Sequence, residues 1–379
     1  MRSARAAAAA VGVGLLFTAC SSTGSTSAGR PISTPAPTES TTATTAPTTA
    51  TTGVVTGPAT DQEVTFESGG LTIHASLRMP AGATGNVPAV VLLAGSGPTD
   101  RNGDSTLMKG SIGTLSWLAD RFAAEGVASL RYDKLGTGAT GLGDVASKPT
   151  EVDFDVFVHE ARDALKYLAD QPGIDTTRLI LGGHSEGGLI AMVIADDPAD
   201  APPTTGVALF APPTERYLDL VTAQVKGQTK AAVASGAMSA AAAGAFDDRL
   251  DAAVAAVRAG QALPADLPKE LTSVFNATTT RFLQQADQQD PTALAAGLGP
   301  PHHVLLTCAE KDIQVPCDGV RSLQERFPAG ASTFVSFPNT DHVLKDIGAA
   351  TSDGRDYTKD LPFTDALAGP LHDFVTALG

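Results

Sequence analysis

Short apolar runs alternate with helical stretches along residues 61–379, and this alternation strongly limits the folds available to the chain. Several of the runs are apolar at every position, which is typical of strands covered on both faces. Between them, residues 151–169 put Phe157, Ala161 and Leu165 on one stripe, the spacing of an amphipathic helix. Repeated strand-helix-strand units predict a mostly parallel sheet flanked by helices, an α/β architecture. The predicted strands are Val64 to Glu67, Leu71 to Arg78, Pro88 to Leu93, Val127 to Tyr132, Arg178 to Leu181, Val207 to Phe210, Val304 to Thr307 and Thr333 to Phe337.

A segment from about 214 to 300 interrupts the alternation. It is rich in Ala and Gln, and it has helical stretches around 216–257 and 268–289 but no convincing strand. We interpret it as a helical cap inserted into the sheet domain and packed over the edge of the sheet at the carboxyl ends of its strands, where functional sites of such folds gather. The alternative is a second domain, but roughly 85 residues with few large apolar side chains would make a weak independent core.

The first 19 residues have the pattern of a secretory signal peptide. Two arginines, Arg2 and Arg5, precede an apolar stretch that is too short to span a bilayer. Residues 16–20 then resemble a bacterial lipobox, in which Cys20 becomes the lipid-modified first residue of the mature protein. The sequence therefore predicts an extracytoplasmic lipoprotein anchored to the cell membrane, with unanchored secretion as the alternative.

Residues 20–60 consist mainly of Ser, Thr, Ala, Pro and Gly. Such a composition cannot bury enough apolar surface to offset chain entropy, so we predict a disordered tether. Its high Thr and Pro content favours an extended chain that holds a folded domain, residues 61–379, away from the membrane.

The charge balance excludes nucleic acid as the main partner. The chain has 26 Lys and Arg residues against 41 Asp and Glu residues, a net charge of −15. Nucleic-acid binding depends on clustered Lys and Arg side chains that neutralise phosphates, and the sequence has no basic run of that kind. Its three cysteines are too few for a disulfide scaffold.

The pentapeptide Gly183-His184-Ser185-Glu186-Gly187 is the strongest chemical motif. A predicted strand runs directly into it, and an apolar helical segment follows at once. A serine on such a sharp strand-to-helix turn adopts strained backbone angles, needs small neighbours, and exposes its hydroxyl above the sheet. This context predicts that Ser185 is a catalytic nucleophile.

A serine nucleophile needs a base to accept its proton, and His342 is the best candidate. It follows the last predicted strand, on a loop at the carboxyl edge of the sheet. His184 lies within the turn itself, where we expect its side chain to point away from Ser185 and to have a packing role. We also expect surface or packing roles for the other five histidines, His74, His159, His302, His303 and His372.

The base needs a carboxylate for its second ring nitrogen, and Asp312 fits best. It follows the strand Val304 to Thr307, with Glu310 and Asp318 as fallbacks. The chain order is then Ser185, Asp312, His342, the order of α/β-hydrolases.

Four segments together resemble a bacterial branch of α/β-hydrolase serine esterases. They are residues 93–103 (LAGSGPTDRNG), 131–138 (RYDKLGTG), 184–188 (HSEGG) and 341–345 (DHVLK). The resemblance runs in order from about residue 62 to the C-terminus and is weakest in the insertion. Leu135 occupies a position where that branch usually has Arg. This difference argues against a charged role for the position but does not concern the triad. The resemblance implies an α/β-hydrolase fold and a carboxylesterase that acts on short acyl esters.

The oxyanion of the tetrahedral intermediate needs preorganised donors. We predict that one is the backbone N–H of Glu186 and that the other comes from Ser96, in the glycine-rich loop after the strand Pro88 to Leu93. A plain tight turn is the alternative for this loop. Asp100 and Arg101 either pair to hold the shape of the loop or are simply solvated.

Cys308 and Cys317 flank Asp312 in the sequence. In an extracytoplasmic compartment such a pair can persist as a disulfide, and we predict one here, with two free thiols as the alternative. No His and Cys residues repeat at zinc-like intervals, so we predict neither a metal nor another cofactor.

The sequence is also consistent with two other functions. The same fold and triad occur in serine peptidases and amidases, and a non-catalytic envelope-binding lipoprotein could keep the fold without the activity. The sequence predicts a small-molecule ester as the partner and leaves the oligomeric state undetermined.

Overall fold

The computed structural model describes residues 59–379. The predicted signal peptide, Cys20 and nearly all of the tether lie outside the described residues. Within residues 59–379, no helix is both long and apolar enough to cross a membrane.

All eight predicted strands are confirmed. They are β1 Asp61–Ser68, β2 Leu71–Arg78, β3 Val87–Leu93, β4 Ala128–Tyr132, β5 Ile174–His184, β6 Gly206–Phe210, β7 His303–Ala309 and β8 Ser332–Phe337. They form one sheet in the order β1-β2-β4-β3-β5-β6-β7-β8. Strands β3 to β8 pair in parallel, whereas β2 is antiparallel to both β1 and β4. The carboxyl ends of the six parallel strands therefore share one edge.

Helices cover both faces of this sheet. They are α1 Thr114–Ala124, α2 Phe154–Ala169, α3 Glu186–Asp196, α4 Tyr217–Ala234, α5 Ala240–Arg258, α6 Lys269–Thr272, α7 Thr280–Ala286, α8 Pro291–Gly297, α9 Cys317–Gln324 and α10 Ala368–Ala377, with short 3-10 turns at Gly143–Ser147, Pro149–Glu151 and Asp365–Leu367. Helices α1 and α10 cover one face, and α2, α3 and α9 cover the other. Val90 and Val91 point into opposite cores, which explains why the central strands are apolar at every position.

Capping residues set several helix boundaries. The stretch predicted over 151–169 becomes a helix only at Phe154, because the Asp153 side chain caps α2 by accepting the N–H of Val156 at 3.2 Å. The stretch predicted over 216–257 is divided into α4 and α5. Gly236 adopts a left-handed φ of 76° there, and Ser239 caps the second helix.

The insertion packs on the face of the sheet that α2 and α3 cover. The Phe282 ring makes edge-to-face contacts with Phe154, Phe157 and Tyr217. The buried carboxylate of Asp287 binds both Arg216 and Arg258 within the insertion. The apolar side chains of helices α4 to α8 belong to the same core as those of α2 and α3.

Candidate active site

Ser185 lies on the turn between β5 and α3, with φ 53° and ψ −125°. A Cβ on Gly183 would lie 2.1 Å from the carbonyl oxygen of Gly187, and a Cβ on Gly187 would lie 2.2 Å from that of Leu93. Only glycine fits at either position. Because the turn is this tight, the serine side chain lies at the carboxyl edge of the sheet and lines a cavity there.

The loops after β7 and β8 bring Asp312 and His342 together. Asp312 Oδ2 lies 2.7 Å from His342 Nδ1, and both side chains are buried. The other carboxylate oxygen of Asp312 accepts the backbone N–H groups of Gln314 at 2.7 Å and Val315 at 2.9 Å. These bonds fix the orientation of the carboxylate. Because Asp312 binds Nδ1 of His342, Nε2 stays available for other contacts. His342 lines the same cavity as Ser185. The fallback carboxylates Glu310 and Asp318 instead pair with Arg321.

His184 has a more specific contact than the general packing role expected for it. Its Nε2–H donates to the backbone carbonyl of His342 at 2.8 Å, and the two imidazole rings are 4.8 Å apart. Burial, together with the nearby His342, lowers the pKa of His184 to about 3, so the ring is neutral. A neutral ring with its proton on Nε2 suits donation to a carbonyl. His184 also lines the cavity.

The loop after β3 approaches Ser185 closely. A Cβ on Gly95 would lie 3.3 Å from the Cβ of Ser185, and Gly95 and Ser96 both line the cavity. The carbonyl of Gly95 accepts a hydrogen bond from Lys134 Nζ at 2.6 Å. The sequence alone assigns Lys134 no role, although Lys134 lies only two residues beyond the end of β4.

Neither alternative for Asp100 and Arg101 holds, because the two side chains do not pair with each other and Arg101 is buried. Arg101 donates to Asp133 at 3.0 Å and to Glu63 at 2.6 Å, which ties the loop to its neighbours. Asp100 instead accepts the backbone N–H groups of Asn102 and Asp104 within its own turn. Burial opposes ionisation of Asp133, but its bonds to Arg101 outweigh burial and lower the pKa of this carboxyl.

The cavity above Ser185 has a volume of about 410 Å³. Its apolar wall comes from two loops, one after β3 and one after β8. The lining apolar side chains are those of Leu107, Met108, Ile112, Val343 and Tyr357. Within the described part of the chain, no residue of the 214–300 insertion lines this cavity, so the insertion does not cover the site as expected. The insertion contacts residues next to the site at two points. The Tyr217 hydroxyl donates a hydrogen bond to Glu186, and the Gln224 side chain donates one to the carbonyl of Gln314.

The structure contains a disulfide between Cys308 and Cys317, with the Cα atoms 5.3 Å apart. The bond links the end of β7 to the start of α9 and closes the loop that carries Asp312. Glu310 lies near both sulfur atoms, so the three side chains could in principle hold a metal ion. Oxidised cysteines are not metal ligands, however, because a metal binds the thiolate.

A serine exposed on a strand-to-helix turn of a parallel sheet is the arrangement found in α/β-hydrolases. The comparison with family models agrees, since the model described as "Alpha/beta hydrolase family" matches residues 90–344, from β3 to the segment after His342. The chain belongs to the alpha/beta hydrolase family.

The chain is also similar in sequence to a protein named as an esterase. Esterase EstD of Thermotoga maritima is 30% identical over 166 residues, which are 43% of this chain and 36% of that protein. The chain thus spans about a third of the length of that relative.

Solved structures share the fold at low sequence identity. Est1E from Butyrivibrio proteoclasticus, solved with bound ferulic acid, has a TM-score of 0.50 at 14% identity, with 83% of this chain and 99% of that one covered. The alpha/beta hydrolase GrgF from Penicillium sp. sh18 has a TM-score of 0.51 at 14% identity, with 84% and 98% covered. The Pyrococcus furiosus esterase Pf2001 has a TM-score of 0.50 at 14% identity, with 85% and 94% covered.

Proposed function

We propose that this hydrolase is a serine carboxylesterase that cleaves short-chain acyl esters, with Ser185 as nucleophile, His342 as general base and Asp312 as the carboxylate that orients it. The observation that carries the proposal is the 2.7 Å bond between His342 Nδ1 and Asp312, in a pair whose histidine lines the same cavity as Ser185. That bond holds the proton on Nδ1 and leaves Nε2 free to accept one. The esterase names of several relatives support the same reaction class.

The reaction has two halves. Ser185 Oγ attacks the ester carbonyl carbon while His342 Nε2 takes its proton, and the oxyanion binds the N–H groups of Ser96 and Glu186. The tetrahedral intermediate then collapses, and His342 returns the proton to the leaving alcohol. Water repeats the sequence on the acyl-enzyme, which releases the carboxylic acid and restores Ser185.

The cavity supports a small, largely apolar acyl group as the substrate portion bound beside Ser185. Its volume of about 410 Å³ and its aliphatic and aromatic walls suit an acyl chain of a few carbons.

Replacement of the nucleophile tests the proposal. We expect Ser185→Ala to abolish hydrolysis of p-nitrophenyl butyrate and covalent labelling by a fluorophosphonate, with an unchanged circular dichroism spectrum. The matched control is Ser235→Ala, an exposed serine of the insertion, which should retain full activity. Turnover of the ester by Ser185→Ala would refute the assignment. Wild-type protein that cleaves dipeptide amides but not esters would point to a peptidase, and wild-type protein that resists the fluorophosphonate would point to a binding protein.

We also propose that the mature protein is a membrane-anchored lipoprotein, modified at Cys20. Support comes from residues 1–20 of the sequence, where a basic start and an apolar stretch precede a lipobox-like segment. The full chain, expressed in a bacterium fed radiolabelled palmitate, should incorporate the label and fractionate with membranes. Cys20→Ala should lose both properties. Equal labelling of wild-type protein and Cys20→Ala would contradict lipidation at this cysteine.

A further inference from the structure

Lys134 is a buried lysine at the carboxyl end of β4, and its side chain is only 7% exposed. Its ammonium group donates to the carbonyl of Gly95 at 2.6 Å and lies 3.6 Å from Glu186 Oε1. The other carboxylate oxygen of Glu186 accepts the hydroxyl of Tyr217 at 2.7 Å. These three side chains connect the loop after β3, the start of α3 and the start of the insertion.

We propose that Lys134 is a positioning residue that sets the oxyanion hole by orienting the Gly95–Ser96 peptide and by binding Glu186. The inference rests on the proposed esterase function, because the oxyanion hole belongs to that reaction. Lys134 itself does not touch the substrate, since it does not line the cavity as mapped over the described residues.

Peptide geometry supplies the first part of the argument. The carbonyl of Gly95 and the N–H of Ser96 belong to one planar trans peptide, so they point in opposite directions. When Lys134 holds the carbonyl, the N–H must point away from Lys134. Gly95 and Ser96 line the cavity whereas Lys134, among the described residues, does not, so we infer that this orientation turns the N–H towards the cavity.

The second part concerns the other donor. Glu186 is the first residue of α3, and its backbone N–H is one of those that a helix leaves without an intrahelical acceptor. Its side chain is 5% exposed and is held by both Lys134 and Tyr217. One ammonium group therefore ties the loop that carries one donor to the residue that carries the other. This fixes the spacing of the two N–H groups before any substrate binds.

The surroundings of Lys134 favour a fixed position. The Phe157 ring lies 5.5 Å from Nζ and covers the ammonium group. The backbone is held on both sides, since the hydroxyl of Thr137 donates to the carbonyl of Lys134 at 2.8 Å and the carboxyl of Glu160 accepts the N–H of Leu135. A lysine held in this way acts as a rigid donor, which is what electrostatic preorganisation requires.

The competing explanation is that Lys134 only neutralises the buried charge of Glu186. Both explanations predict that Lys134→Met lowers stability, because a buried charge would lose its partner. They differ for the double variant Lys134→Met with Glu186→Gln. The double variant has no lone buried charge and keeps the backbone N–H of residue 186, but it lacks the bond to the carbonyl of Gly95.

The experiment compares these variants in the full chain with p-nitrophenyl butyrate as substrate and butylboronic acid as transition-state analogue. Loss of one oxyanion donor typically costs about 10²–10³ in kcat, so we expect Lys134→Met to lose at least about 10-fold. We expect KM to change by less than about threefold, because ground-state binding is not involved. Affinity for the boronic acid should fall by about the same factor as kcat. Lys166→Met, which removes a lysine from the outer surface of α2, is the matched control and should match wild-type kinetics.

We expect the double variant to regain thermal stability but to keep the low kcat of Lys134→Met. Recovery of wild-type kcat would overturn the proposal in favour of charge neutralisation, as would an unchanged kcat in Lys134→Met. If Lys134→Met does not fold, the double variant alone decides between the two explanations. An active Lys134→Met beside an inactive Ser185→Ala would reject this inference and leave the esterase function standing. If wild-type protein cleaves no ester, the esterase function fails, and the boronic acid affinities still test the orientation of the donors.

Discussion

At the scale of single residues, Glu160 is a buried carboxyl group whose ionisation should affect stability. It lies on α2 with 2% exposure, and burial raises its pKa to about 8, although the N–H of Leu135 and the charge of Lys134 act in the opposite direction. The folded protein therefore holds a proton that the unfolded chain releases near its ordinary pKa of about 4.3. The contribution of Glu160 to the free energy of unfolding is full below that value and falls as the pH rises to about 8.

Glu160→Gln should remove this pH dependence, because glutamine resembles the protonated carboxyl and still accepts the N–H of Leu135. We expect the melting temperature of the variant, relative to wild type, to rise by several degrees between pH 5 and pH 9. Asp155→Asn changes an exposed carboxylate on the same helix and should show no comparable trend. Parallel melting curves for wild type and Glu160→Gln across this range would show that Glu160 is already ionised in the folded state.

Residues differ in how far the sequence reveals them. Ser185 is marked by its glycines, and His342 and Asp312 follow predicted strands, so the sequence alone could group them at one edge. Lys134 also follows a predicted strand, β4. Its partner Gly95 is 39 positions away, however, and no local sequence pattern connects the two residues. The bond from His184 to the carbonyl of His342 spans 158 positions and was missed for the same reason.

At the scale of elements, strands were easier to predict than helix boundaries. Strands β3, β6 and β7 are largely apolar and buried, so hydropathy alone locates them, and β1 and β2 are located by their period-two alternation. Helix ends depend on single capping side chains such as Asp153 and Ser239, which an average over hydropathy does not resolve. The glycine-rich loop after β3 was recognised as a site element, but its long-range ion pair from Arg101 to Asp133 depends on strand order, which the sequence does not give.

At the scale of the whole molecule, the sequence predicts the α/β-hydrolase fold, whereas the position of the insertion had to come from the structure. The insertion shares its core with α2 and α3, on one face of the sheet, instead of forming the roof of the cavity. The roof comes from two loops that the sequence leaves without recognisable elements. They are joined by the bond from Thr114 Oγ1 to the carbonyl of Val343, at 3.0 Å.

For the proposed esterase, this architecture predicts that the loops, and not the insertion, select the acyl chain. Met108 lines the cavity and packs against Ile112, Val343 and Tyr357, so Met108→Ala should lengthen the space available to an acyl chain. Each added methylene that fits an apolar pocket changes kcat/KM by about 10-fold or more. We therefore expect Met108→Ala to raise the kcat/KM for p-nitrophenyl octanoate, divided by the kcat/KM for p-nitrophenyl acetate, by about 10-fold. Met238→Ala, the same substitution between α4 and α5 of the insertion, should leave this ratio unchanged. A ratio that responds to Met238→Ala and not to Met108→Ala would instead assign selectivity to the insertion.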